Sequence, residues 1–234
     1  SVEDRNGKVT FYTSPLNLPQ LLKLNFGIIS MCEGRDGSIW LITNWGLVRR
    51  LQDGREIFYK NETPHTDTFS SVISDREGRI WIGRTAGVSV IKPESAQDLD
   101  AVPLTVRNLD ASEKLQAHSD VQVLLPEKPG EIFKYAELSV FPYDNYLLET
   151  EDGHIWISTA DSIIEFDGQR FSVHTSGKGL LKGVGQIVED SSNNLWIALT
   201  TGLIRFERHG FTSYDVSDGL NTSSIVAANE TYDG

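Results

Sequence analysis

The sequence predicts an all-β protein of the β-propeller class, built of four-stranded antiparallel blades, with this chain a partial ring of about five blades. Three observations carry that prediction. Four tryptophans, Trp40, Trp81, Trp156 and Trp196, recur at intervals of 41, 75 and 40 residues within one local frame. Turn-forming residues stand at fixed offsets around each of them, and helical periodicity is almost absent. A chain of short strands that repeats its own sequence every 40 or so residues is the pattern of propeller blades rather than of a sandwich.

Each element follows from the frame in order. Eight and nine positions before each tryptophan lie apolar pairs, Met31-Cys32, Val72-Ile73, Leu147-Leu148 and Ile187-Val188, which read as a first strand buried on both faces. A tight turn follows, with Gly37, Gly78, Gly153 or Asn193 three before the Trp, the residue types that a left-handed turn position demands. The Trp marks the second strand. Six positions on, Gly46, Gly87, Ser162 or Gly202 opens a third strand, and the aromatics Phe58-Tyr59, Phe171 and Phe211-Tyr214 mark a fourth. Phe11-Tyr12 is the remnant of an earlier copy.

The resulting blades lie around 28–60, 69–92 completed by 130–135, 144–174 and 184–214, with a partial blade from 1–13 and 223–234. Between Trp81 and Phe133 there are 52 residues where the other copies take 15, and the register resumes at Gly130-Glu131-Ile132-Phe133. The extra material, about 93–129, is an insertion within a blade, an atypical blade without its Trp, or a junction. The insertion is preferred because a full blade needs about 40 residues. Within it, Pro103 to Leu109 suits a strand and Ala111 to His118 a turn or two of helix. Because the frame calls for another Leu-Trp strand after Tyr232-Asp233-Gly234, the expectation is a portion of a larger ring.

The repeat, in particular Asp75-Arg76-Glu77-Gly78-Arg79-Ile80-Trp81-Ile82-Gly83 followed by Gly87-Val88, and Trp196 followed by Thr201-Gly202-Leu203-Ile204-Arg205-Phe206, resembles the two-component regulator propeller repeat. The resemblance covers about 165 of the 234 residues. It implies the periplasmic or extracellular sensor part of a bacterial hybrid histidine kinase or related membrane signalling protein. Such a part would bind a small solute, an oligosaccharide being the suggested class, and pass the event to signalling domains outside this chain through subunit contacts, with a homodimer as one form. The repeat is also similar to that of streptogramin lyases, propellers that cleave an antibiotic with a His/Glu set and Mg²⁺. No closely spaced His and Glu pair in the sequence speaks for that, so no enzymatic role is expected of this segment. An interaction scaffold is the other alternative.

Composition narrows the classes further. With 33 acidic against 21 basic residues the formal charge is −12, which disfavours a phosphate-backbone partner. No run approaches the roughly 18 apolar residues of a membrane span. The single cysteine, Cys32, excludes an internal disulfide and reads as inert core. Neither a metal nor a cofactor is expected, since His65, His118, His154, His174 and His209 show no ligand spacing. Asp36, Glu77, Asp152 and Asp233 precede turn glycines and read as turn chemistry, and the four tryptophans as inter-blade packing. Candidate ligand-binding residues are those that break the repeat at the loop end: Trp45 where other copies have Ala86, Asp161 and Thr201, Arg84 where two copies have Thr43 and Thr159, and His65, Tyr143 and His174 in the connectors.

Overall fold

The computed structural model describes residues 2–3, 9–10, 27–43, 46–60, 68–85, 87–93, 106–110, 132–136, 145–159, 162–175, 185–207, 210–222 and 224–225. A two-stranded ribbon, β1 (Val2–Glu3) with β2 (Val9–Thr10), precedes four sheets. The first blade is the meander β3 (Ile28–Glu33), β4 (Ile39–Thr43), β5 (Gly46–Arg50) and β6 (Glu56–Lys60). The second holds β7 (Phe69–Ser74), β8 (Ile80–Arg84) and β9 (Gly87–Ile91). Two further strands belong to its sheet, β10 (Val106–Asp110) and β11 (Ile132–Ala136), in the order β7-β8-β9-β11-β10. Here β11 pairs antiparallel with β9, and β10 lies parallel to β11 on the outer edge. A parallel neighbour needs a long crossover, which 111–131 supplies in length. The third blade comprises β12 (Tyr146–Glu149), β13 (Ile155–Ser158), β14 (Ser162–Phe166) and β15 (Phe171–Thr175). The fourth comprises β16 (Ile187–Glu189), β17 (Leu195–Leu199), β18 (Gly202–Glu207) and β19 (Gly210–Tyr214). A 3-10 turn over Val216–Asp218, capped by Asp215, follows. The expected helical turns at 111–118 and most of the partial blade at 1–13 and 223–234 lie outside the described residues.

Each tryptophan sits in the second strand of its blade, and three of them pack against the next blade. Trp40 lies with Tyr59, Val72, Ile80 and Ile82, Trp81 with Leu147, Ile155, Ile157 and Phe166, and Trp156 with Ile187, Leu195 and Ile197. Burying each such aromatic is worth on the order of 2–3 kcal/mol. The core is therefore a series of seams between blades. First strands run side by side around the arc, and they bury one face rather than two. Val72, Leu147 and Ile187 are buried, whereas Ile73, Leu148 and Val188 are half-buried, and Met31 on β3 is 66% exposed. The first strand is the inner edge strand of its sheet, where neighbouring first strands meet without fully covering both faces, and this accounts for the difference from the doubly buried expectation.

The turn between first and second strands is built by carboxylates as much as by glycine. Gly78 takes φ +75° and Asn193 φ +61°, the left-handed position that closes each turn. In the second blade the organiser is Asp75, six before the Trp, not the expected Glu77. Its Oδ1 accepts from the Glu77 and Arg79 N–H at 3.0 and 2.8 Å, and its Oδ2 accepts from Trp81 Nε1 at 2.7 Å. Asp190 does the same in the fourth blade, accepting from Trp196 Nε1 at 2.7 Å. Burial opposes its ionisation, but the donors Asn194, Trp196 and Ser192 outweigh that and lower it to about 2.

Candidate functional site

The meander puts the turns between second and third strands, and the connectors between blades, at one end of the arc. That loop end is where the sequence places the candidate residues. Trp45, His65 and Tyr143 lie outside the described residues. Arg84, the last residue of β8, is half-buried, with its guanidinium 4.9 Å from the Phe69 ring centroid and Nη1 donating to Ser89 Oγ at 3.1 Å. His174, near the end of β15, stacks on Trp156 at 5.5 Å and lies 5.3 Å from Phe206 of the fourth blade. The two sit on different sheets with different partners.

Asn145, just before β12, ties the loop end together. It is fully buried, and its Nδ2 donates to the carbonyls of Arg84 at 2.6 Å and Gly87 at 3.1 Å. Its own carbonyl accepts from Ser70 and Ser71 Oγ at 2.8 and 2.7 Å, which seats the third blade on the second. Asn145 Oδ1 is buried without a hydrogen-bond partner among the described residues. The sequence signal for this residue was weak but present, since the matching positions are Ile29, Ser70 and Gly185.

A second polar group joins residues that the sequence keeps apart. His154 Nδ1 lies 2.6 Å from Glu165 Oε1, and His174 Nε2 lies 3.1 Å from Glu165 Oε2. The expectation of no close His and Glu pair is thus corrected, because antiparallel pairing of β13, β14 and β15 makes neighbours of distant positions. Both carboxylate oxygens are engaged by imidazoles, and no cluster among the described residues has the arrangement of a metal site. The hydrogen bond from His174 pulls Glu165 below the usual glutamate range, burial opposes this, and His154 adds to the lowering. A carboxylate with a depressed folded value contributes stability that is full above its unfolded value and lost as pH falls through the folded one. Glu165→Gln should therefore lower the urea midpoint at neutral pH and flatten its decline below about pH 4.5.

Burial within the cluster around Trp40 pushes the Cys32 thiol up to about 12, so it is protonated and unreactive at neutral pH. A cavity of about 690 Å³ opens at the end of the arc opposite the loop end, between the first two blades, and neither Arg84 nor His174, the two described candidate residues, lines it.

No family model matches the chain, and no curated protein matches it. Among solved structures, a catalytically inactive virginiamycin B lyase from Staphylococcus aureus with quinupristin superposes with a TM-score of 0.55 at 13% identity, covering 82% of this chain and 57% of the lyase. PorZ, a surface component of the type-IX secretion system of Porphyromonas gingivalis, gives 0.55 at 13% identity over 86% of this chain and 29% of PorZ. These neighbours have propeller-type folds. The fold is a β-propeller, present as a partial ring. The extracellular domain of the putative hybrid two-component system BT3049 of B. thetaiotaomicron gives 0.47 at 18% identity over 89% of this chain and 32% of that domain. The chain thus spans a little over half of the lyase and about a third of the BT3049 domain.

Proposed function

We propose that this chain is the extracytoplasmic ligand-sensing propeller segment of a bacterial two-component-type signalling protein. It binds a small solute at the loop end, an oligosaccharide being the first class to test, and passes the event to an output domain elsewhere. The observation that supports this best is Asn145: a fully buried residue at the loop end, beside Arg84, with its side-chain Oδ1 left without a hydrogen-bond partner among the described residues. A buried acceptor left open costs about 1–3 kcal/mol, and a donor brought by a solute as the loop end adjusts would recover it. The resemblance of the repeat to the two-component regulator propeller supplies the signalling context. Among the described residues no helix is long and apolar enough to cross a membrane, so within them anchoring has no helical means.

The test is a thermal-shift screen of the intact protein against oligosaccharides and other small solutes, with and without Mg²⁺, since a ligand of the folded state raises its apparent stability. The expected result is a shift from one sugar class, Mg²⁺-independent, that is reduced in Trp45→Ala and Arg84→Ala. A shift untouched by both substitutions moves the site elsewhere. Magnesium-dependent turnover would support the lyase-like alternative, and binding of protein but of no solute the scaffold.

A further inference from the structure

The junction of the first and second blades lacks two acids that its neighbour has. Six before the Trp, where Asp75 and Asp190 receive the indole N–H, the first blade has Gly34. Trp40 is fully buried and its Nε1 has no hydrogen-bond partner. The second absence is one residue earlier on the following blade. Arg76 reaches across to Glu149 of the third blade at 3.0 Å, but its counterpart Arg35 faces a blade with Ser74 at that position, and among the described residues it donates to the Asp75 carbonyl at 3.4 Å.

Gly34 and the Arg35 side chain both border one cavity, the one of about 690 Å³, whose lining also includes Trp40, Arg49, Gln52 and Lys92. Neither Arg35 nor Lys92 has an acidic partner among the described residues, Lys92 Nζ donating to the Glu77 carbonyl at 3.2 Å. A Cβ on residue 34 would stand 3.0 Å from Trp40 Nε1 and 2.9 Å from Asp36 Oδ1, closer than side-chain carbons come, so the space beside the indole N–H is closed while Asp36 keeps its place and opens when that carboxylate moves. Asp36 closes it: its carboxylate accepts from Ser38, pairs with Arg49 and is 46% exposed.

We propose that this cavity binds a small carboxylate-bearing solute, whose carboxylate enters the Gly34 notch, accepts from the Trp40 indole N–H and is held by Arg35, with Lys92 at the rim. The Asp36 carboxylate, already half in solvent, swings outward to admit it, and the incoming carboxylate takes its place beside Arg49, so that the buried guanidinium keeps an acidic partner. The volume suits a molecule the size of a sugar acid, and the acceptor is the chemistry that the second and fourth blades supply from their own chain. The site is at the opposite end from the loop-end site and stands whether or not the sensing reading holds.

The test uses the intact ¹⁵N-labelled protein and the indole N–H resonances, with the Trp40 signal assigned by its loss in Trp40→Phe. Sodium acetate, succinate and glucuronate are titrated at millimolar concentrations against a sodium chloride control. The expected result is a saturable downfield movement of the Trp40 signal with at least one carboxylate and none with chloride, weakened roughly threefold by Lys92→Ala. In Gly34→Asp the Trp40 signal should already lie with those of Trp81 and Trp196, and the response should vanish. The backbone at Gly34 is outside the left-handed region, so a side chain there meets no backbone strain, and its Cβ makes room by displacing the Asp36 carboxylate. Gly34→Ala, which fills the notch without charge, should also abolish the response and covers the case in which the aspartate variant does not fold. A Trp40 signal unmoved by every carboxylate, or moved equally by chloride or in Gly34→Ala, overturns the proposal.

Discussion

Asp75→Ala is expected to cost about 3–5 kcal/mol of unfolding free energy, read as a lowered urea midpoint at unchanged slope. The carboxylate side chain is 1% exposed and receives two backbone N–H groups, the Trp81 indole and Arg79 Nε, the last at 2.6 Å. Alanine would leave the indole N–H orphaned in the seam between the second and third blades, and would strip Arg79, itself 14% exposed, of its buried partner, leaving it the half-exposed Glu77 at 2.8 Å as a weaker one. Breaking a buried pair from one side is costly because the remaining charge keeps its desolvation without compensation. Asp75→Asn, which keeps the shape and one acceptor oxygen, should fall between alanine and the parent. Asp190→Ala should cost less than Asp75→Ala, about 1–2 kcal/mol, since Trp196 and Asp190 are only half-buried. A cost for Asp75→Ala no greater than that for Asp190→Ala would show that burial of the pair does not set its worth.

The contrast between these two aspartates and Gly34 also shows what a repeat makes legible. The tryptophans stand out in the sequence because the same packing duty recurs in every blade, and the turn glycines because a positive φ admits few residue types. Position six before the Trp was harder to see, since the aspartates of the second and fourth blades, Asp75 and Asp190, alternate with Gly34 and Thr150. Its meaning appears only when the indole N–H is seen to need an acceptor and is found without one at Trp40. The His154–Glu165–His174 group was hidden for another reason. Its members are eleven and nine residues apart along the chain, and only the pairing of three strands brings them within hydrogen-bond distance. The loop end was legible as a location, because a meander dictates which turns share an end. Its chemistry was not, since Asn145 acts on the preceding blade through backbone carbonyls, which leave no trace in residue type.

Gly83→Val should be nearly as damaging as Asp75→Ala, and its effect should reach the loop end. Gly83 stands two after Trp81, where the other blades carry Ile42, Ser158 and Ala198, so the frame itself does not demand glycine. The demand comes from the next blade: a Cβ at 83 would run into the carbonyl oxygen of Asn145 and the Ser71 hydroxyl. A hydroxyl can rotate, but a backbone carbonyl held by Ser70 and Ser71 cannot yield without moving the start of β12. Forcing methyl groups into so close an approach typically costs about 1–3 kcal/mol, and a rigid backbone neighbour puts valine at the upper end or beyond. Gly83→Ala, one carbon rather than three, should show a smaller loss of the same kind. Because Asn145 also donates to the Arg84 and Gly87 carbonyls, displacing it should loosen the turn that carries Arg84. Hydrogen exchange at Thr85 and Gly87 should therefore rise in Gly83→Val by more than the global loss of stability accounts for, while amides of the fourth blade follow the global change alone. Uniform acceleration across all four blades would mean that the seam between the second and third blades is not an independent joint. The tie from Asn145 to the loop end would then carry no local effect.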